Sequence, residues 1–150
     1  MKVSEIMTTK VITVPEQATL TKTAKILADN DISGAPVVNN KNELVGIISE
    51  KDLFKALYPS HAEFYDSPGV WIDLDKLEEK TKQSADKLVQ DMMVREVITV
   101  NADASLMQVG SMMLVRGIHR VVVVGQDEQI EGIVTRRDIY KNILKKRLNI

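Results

Sequence analysis

The chain has no cysteine and only two histidines in 150 residues. The missing thiols exclude thiolate nucleophiles, disulfides and thiolate metal sites, and two imidazoles leave little from which to build a zinc site. Aromatic residues amount to 4%, tryptophan occurs once, and neither sign of charge prevails: 20 Lys and Arg face 21 Asp and Glu, a net charge of −1. That balance argues against a dedicated nucleic-acid surface, so nucleic acid is not an expected partner. No apolar run approaches the roughly 20 residues that cross a bilayer, and Met1-Lys2-Val3-Ser4-Glu5 lacks the apolar centre of a signal peptide. No membrane partner is expected, and the expected location is cytoplasmic. What remains is 44% hydrophobic, ordinary for a globular chain, in a length that suits one compact domain or two small units sharing a core.

What the sequence does contain is a repeat. Val3 to Leu57 lies over Val89 to Ile143 without a gap, at an offset of 138 − 52 = 86, with about 15 identical positions in about 55. In each copy a short helical lead-in, Val3 to Met7 in the first, precedes a β-branched strand, Val11 to Val14, which Pro15 closes. Leu20, Ala24, Leu27 and Ala28, matched by Leu106, Gly110, Met113 and Leu114, fall at helical spacing and predict amphipathic helices with one buried face. Asn30-Asp31 and Arg116-Gly117 end those helices. Second strands follow at Ala35 to Val38 and Arg120 to Val124, and polar turns lead to third strands over Glu43 to Ser49 and Gln129 to Thr135. Final helices start at Glu50 and Arg136, the second running to Arg147. Each copy is β-α-β-β-α, an α/β (α+β) pattern too small to bury much alone, so the two are expected to pack with pseudo-twofold symmetry. The division is residues 1–57, an insert over 58–88, and 89–150.

The insert has no counterpart in the repeat. It holds four of the six aromatic residues, Tyr58, Phe64, Tyr65 and Trp71. Its first half, with Pro59 and Ser67-Pro68-Gly69, reads as a loop, and Leu74 to Leu88 reads as a helix. It is either a connector folded over the module's edge or a contact for a partner.

The chemistry concentrates in two matched stretches, Gly46-Ile47-Ile48-Ser49-Glu50-Lys51-Asp52 and Gly132-Ile133-Val134-Thr135-Arg136-Arg137-Asp138. Each is a strand that turns directly into a helix. Ser49-x-x-Asp52 and Thr135-x-x-Asp138 match the capping-box pattern, in which a hydroxyl caps the helix and the acid reaches back. The same residues suit a ligand, because a carboxylate accepts hydrogen bonds from vicinal ribose hydroxyls and a hydroxyl at a helix start can donate to phosphate. A cap alone would explain both pairs; two copies at equivalent corners raise the ligand reading.

With Ile6-Met7, Met92-Met93, Ile12-Thr13-Val14-Pro15, Ser33-Gly34-Ala35-Pro36-Val37-Val38 and His119-Arg120-Val121-Val122-Val123 added to the two corners, the sequence resembles a tandem pair of cystathionine β-synthase (CBS) domains, a Bateman module. The resemblance covers Val3 to Leu57 and Val89 to Ile143. It implies clefts between the repeats that bind an adenine nucleotide (AMP, ADP or ATP) or S-adenosylmethionine. It places Asp52 and Asp138 on ribose hydroxyls, and Ser49 and Thr135 on ribose or phosphate. Backbone of Ile12, Thr13, Ala35 and Pro36, and of Ile98, Thr99, Val121 and Val122, is implied at the adenine edge. His119 and Arg120 are implied at phosphate, with Arg136 and Arg137 adding charge.

The cations gather in the second repeat, where the first has Ser33, Gly34, Glu50 and Lys51 at the matched positions. Phosphate is expected in the cleft they face, which by resemblance pairs them with Asp52. Asn101 in place of Pro15, and Arg120-Val121-Val122 in place of Gly34-Ala35-Pro36, are departures that put the other cleft in doubt. Met92, Met93, Met107, Met112 and Met113 read as core fill, or as the lining of an adenosylmethionine pocket. Lys145-Lys146-Arg147 reads as a solvated helix end. No nucleophile–base–orienter set is present, and Asp66, Asp73 and Asp75 lack the histidines that would support a metal-dependent enzyme, so neither catalysis nor a metal is expected. The expectation is a regulatory, energy-sensing module that forms a homodimer and passes ligand occupancy to a regulated protein. The rivals are a ligand-free dimerisation module and nucleic-acid binding, for which the basic second repeat is the only support.

Overall fold

The computed structural model of the chain describes residues 1–58, 65–66 and 73–150. The expected loop with Pro59, Phe64, Ser67-Pro68-Gly69 and Trp71 lies outside the described residues. In chain order the elements are a 3-10 turn (Val3–Glu5), β1 (Val14–Pro15), α1 (Leu20–Asp29), β2 (Gly34–Val38), β3 (Leu44–Ser49), α2 (Glu50–Ala56) and α3 (Leu74–Ser84). A second 3-10 turn (Val89–Asp91), β4 (Thr99–Val100), α4 (Leu106–Arg116), β5 (Arg120–Val124), β6 (Ile130–Thr135) and α5 (Arg136–Leu148) follow. This is the mixed α and β arrangement read from the sequence, with two three-stranded sheets and five helices among the described residues.

In each sheet the short first strand runs parallel to the middle strand, which pairs antiparallel with the third. Both hairpins shift register at the same place, between Val37 and Val38 and between Val123 and Val124. The repeat also extends to backbone conformation. Left-handed φ values occur at Asp31 (51°) and Gly117 (65°) after α1 and α4, and at Asn42 (62°) and Glu128 (56°) in the hairpin turns. The same bends are required in both copies, although glycine, which meets that requirement most easily, fills only one of the four positions.

The chain divides into two compact units that do not follow the repeat boundaries. One holds Ile12–Glu96 and contains Asp52; the other joins Met1–Val11 to Val97–Ile150 and contains Asp138. The lead-ins are therefore exchanged. Val3 N donates to Ala104 O at 3.0 Å and Ser4 N to Ala102 O at 2.9 Å, while Thr8 and Ile133 exchange two bonds at 3.0 Å. The second lead-in repeats the pattern on the first repeat: Val89 N to Ala18 O at 2.8 Å, Gln90 N to Glu16 O at 3.1 Å, and a pair of bonds between Val94 and Ile47 at 2.9 Å. Side chains follow the backbone. Val3 is buried with Leu106, Val109, Met113, Val121 and Ile139, and Val89 with Leu20, Leu27, Val37 and Ile48. The lead-ins also supply acceptors that the helix starts need. Leu106 N donates to Met1 O at 3.1 Å and Leu20 N to Lys87 O at 2.7 Å.

That last contact explains why α3 stops at Ser84 rather than reaching Leu88. Ala85 and Lys87 turn their carbonyls to Thr21 and Leu20, which a continuing helix would forbid. Two further expectations need correction. Ala24, Ala28 and Leu114 face outward, and the buried stripes run through Leu20, Thr23 and Leu27 in α1 and through Leu106, Val109, Gly110 and Met113 in α4. Buried Thr23 is accommodated because its hydroxyl donates to Thr19 O at 2.8 Å. Met93 and Met113 are core residues, but Met107 is 52% exposed.

Each lead-in crosses a glycine. A Cβ on Gly132 would lie 2.7 Å from Met7 Sδ and 3.1 Å from Thr8 O, and one on Gly46 would strike Met93 Sδ in the same way. The sulfur can swing aside, but the carbonyl is fixed by its bond to Ile133. Gly132→Ala is therefore expected to destabilise the fold by about 1–3 kcal/mol, read from the denaturant midpoint. At the surface, Lys2 Nζ and Asp103 Oδ1 pair at 2.8 Å and pin the first lead-in to its host unit. The contact holds the Asp103 carboxyl below its ordinary value and raises the Lys2 ammonium. The carboxylate's contribution is present above its unfolded pKa of 3.8 and is lost as pH falls through the lower folded value. Both groups are fully exposed, so the contribution is small.

Candidate functional site

The corners are built by an extended residue that ends a strand and caps a helix. Ser49 (φ −129°, ψ 162°) closes β3 and opens α2; Thr135 (φ −99°, ψ 158°) closes β6 and opens α5. In the first corner Asp52 N donates to Ser49 Oγ at 3.3 Å, while Ser49 N and Ser49 Oγ both donate to Asp52 Oδ2 at 2.9 Å. In the second, Asp138 N donates to Thr135 Oγ1 at 3.2 Å, Thr135 N to Asp138 Oδ2 at 3.0 Å, and Thr135 Oγ1 to Asp138 Oδ2 at 2.6 Å. Both are complete capping boxes, so the cap anticipated from Ser/Thr-x-x-Asp is present.

The geometry has a chemical consequence. A hydroxyl has one proton, and in each corner that proton is engaged by the adjacent carboxylate. Ser49 and Thr135 thus fix the rotamer of the acid, with Oδ2 held by two donors. Among the described residues, Oδ1 of Asp52 and of Asp138 has no hydrogen bond, and neither acid forms an ion pair. Both acids are half-buried. Each corner presents a pre-oriented acceptor oxygen, with its hydroxyl turned to the acid.

The second corner also gathers the expected cations within its own unit. Arg120 is the Cα partner of Thr135 across β5 and β6. His119 O accepts from Arg136 N at 2.8 Å. The Arg136 side chain turns back onto the strand entry, with Nη2 donating to Ile118 O at 3.1 Å, while its buried Nε has no acceptor among the described residues. Local structure thus holds this guanidinium, which the spacing alone did not signal. Arg137 is exposed, His119 is exposed and Arg120 is half-buried.

The segments expected at an adenine edge lie beside each corner. Ala35 and Pro36 are buried in β2, opposite Ile48 and Ile47, and Val121 and Val122 are buried in β5, opposite Val134 and Ile133. Ile12 and Thr13 precede β1, whereas Thr99 begins β4 one position earlier than the repeat would place it. Among the described residues no group of three His, Cys, Asp or Glu is arranged to hold a metal ion. Asp73 caps α3, accepting from Lys76 N at 3.3 Å. No helix of the described residues is long and apolar enough to cross a membrane.

Comparison with known proteins gives these features a family context. The CBS domain family model matches residues 3–59 and 89–145. The uncharacterized protein MJ1426 of Methanocaldococcus jannaschii is 31% identical, over 96% of this chain and 92% of its own length. Among solved structures, the CBS domain pair of protein MJ0100, in complex with 5-methylthioadenosine and S-adenosyl-L-methionine, is similar with a TM-score of 0.75 and 27% identity, covering 97% of this chain and 98% of that one. CBSX2 of Arabidopsis thaliana, in complex with AMP, has a TM-score of 0.72 at 22% identity over 97% and 98% of the two chains, a likeness of fold.

Proposed function

The chain belongs to the CBS domain family, and on that premise we propose that it is a non-catalytic regulatory module that binds an adenosine-containing ligand. The observation that carries this reading is the duplicated corner. In each, a carboxylate is locked by its own cap and presents its second oxygen without a donor among the described residues, which suits the hydroxyls of a ribose. Asp52 and Asp138 take the ribose role, and Ser49 and Thr135 hold those acids in place. The ligand we favour is an adenine nucleotide (AMP, ADP or ATP), because His119, Arg120, Arg136 and Arg137 cluster around one corner and phosphate rewards such a cluster. S-adenosylmethionine is the second reading, supported by the ligands of the MJ0100 pair.

Calorimetric titration with AMP, ADP, ATP and S-adenosylmethionine tests the proposal. At least one should bind saturably and, at a hundredfold excess over Kd, add about 2.7 kcal/mol to stability. Absence of heat and of any melting shift with all four would leave a ligand-free dimerisation module.

The expected self-association has a surface to use. A groove of about 460 Å³ on the α4–α5 face is lined by Met107, Leu114, Tyr140 and Leu144, all exposed, together with Ile139 and Ile143. Leu114 and Val115 stand where the first repeat has Ala28 and Asp29, so α4 is the more apolar of the two matched helices, while exposed Phe54 and Tyr58 of the first repeat match Tyr140 and Leu144. We place a second copy of the chain on the α4–α5 face. Leu114→Glu is expected to yield a monomer by light scattering with stability changed by less than about 0.5 kcal/mol; a dimer that persists would move the contact elsewhere.

A further inference from the structure

The two lead-ins are held by matched methionines that differ in exposure. Met7 and Met93 stand at the offset of 86, each with its sulfur in the space that a side chain on Gly132 or Gly46 would fill. Met93 is 9% exposed and belongs to the core of its host unit, whereas Met7 is half-buried against the edge of the other core. Solvent thus reaches Met7 more readily than its twin. The space around the Met7 sulfur is bounded by Thr8 O, 3.1 Å from where a Cβ on Gly132 would lie, and that carbonyl already accepts from Ile133 N at 3.0 Å. An oxygen added to the sulfur would be a second acceptor, set against the first in a place with little water.

We propose that Met7 is a redox-modification site, a latch that hydrogen peroxide opens. The peroxide transfers one oxygen atom to the Met7 sulfur: its O–O bond breaks, an S–O bond forms, the sulfur is oxidised by two electrons, and the second oxygen leaves as water with both protons. The product is a polar sulfoxide where the fold holds a thioether, and the first lead-in lifts from β6. Gly132 stands three residues before Thr135 on that strand, so the loss reaches the Thr135–Asp138 corner. The Ser49–Asp52 corner, beside the buried Met93, is spared. The latch works whatever ligand the corners bind.

The test treats the intact chain with graded hydrogen peroxide. Peptide mapping by mass spectrometry should find the Met7 sulfoxide well before that of Met93. On the same samples, hydrogen exchange at the Val3, Ser4, Thr8 and Ile133 amides should speed up by about tenfold to a hundredfold, the effect of an unsatisfied buried acceptor, while the Val89, Gln90, Val94 and Ile47 amides are unchanged. Met7→Leu keeps the apolar volume and removes the oxidisable sulfur, so the same dose should leave all of these amides protected although other methionines still react. Reduction by a thiol-dependent methionine sulfoxide reductase should restore protection in the wild type. Equal oxidation of Met7 and Met93, full protection in the Met7 sulfoxide, protection that stays lost after reduction, or lost protection in peroxide-treated Met7→Leu would each overturn the proposal. If Met7→Leu does not fold, the contrast between the two lead-ins of the wild type still decides.

Discussion

Val3→Asp is expected to unfold the half of the protein that carries the other repeat. Val3 is fully buried among Leu106, Val109, Met113, Val121 and Ile139, all of them apolar. An unpaired charge there should cost about 3–5 kcal/mol, a large part of the roughly 5–15 kcal/mol that holds a domain together. Ser4, one residue on, is exposed, and Ser4→Asp should change stability by less than about 0.5 kcal/mol. The location of the damage is more informative than its size. In hydrogen exchange, Val3→Asp should strip protection first from Val121 to Val123, and Val89→Asp first from Val37 and Val38. If each substitution instead loosened its own repeat, the exchange of lead-ins would be wrong.

The second large effect concerns the corner acids. Asp52→Ala combined with Asp138→Ala should weaken a ribose ligand by about 10²–10⁴-fold, since each hydrogen bond to a charged acceptor contributes about 1.5–3 kcal/mol and the ribose offers two. The same substitutions remove one half of each capping box, with a stability loss of about 1 kcal/mol per corner. The two losses separate by ligand. An adenosine ligand without the 2′ and 3′ hydroxyls should bind wild type and the double variant alike, whereas a role confined to capping would weaken neither ligand selectively.

The repeat, the strand and helix order and both corners were legible in the sequence because local patterns encode them. An 86-residue offset, β-branched runs and Ser/Thr-x-x-Asp at a strand end need no knowledge of what lies across the fold. The exchange of lead-ins was not legible. Val3 to Met7 sits next to its own repeat in sequence, and nothing in a five-residue segment states that its backbone partners are Ala102, Ala104 and Ile133. The outward Leu114 was hidden for a related reason. Helical spacing defines an apolar stripe but not its width, and α4 is apolar on more than one face. The hydroxyl roles turned on direction. Composition places Thr135 beside Asp138, but only coordinates show that its single proton goes to that acid at 2.6 Å.

The most direct measurement is a crystal structure of the chain grown with the adenosine ligand that titrates most tightly. The ribose hydroxyls are expected at about 2.6–3.2 Å from a corner carboxylate, Asp52 foremost, with Oδ2 still held by Ser49. A ligand bound with its ribose away from both Asp52 and Asp138 would contradict ribose recognition by the corners and leave them as helix caps alone.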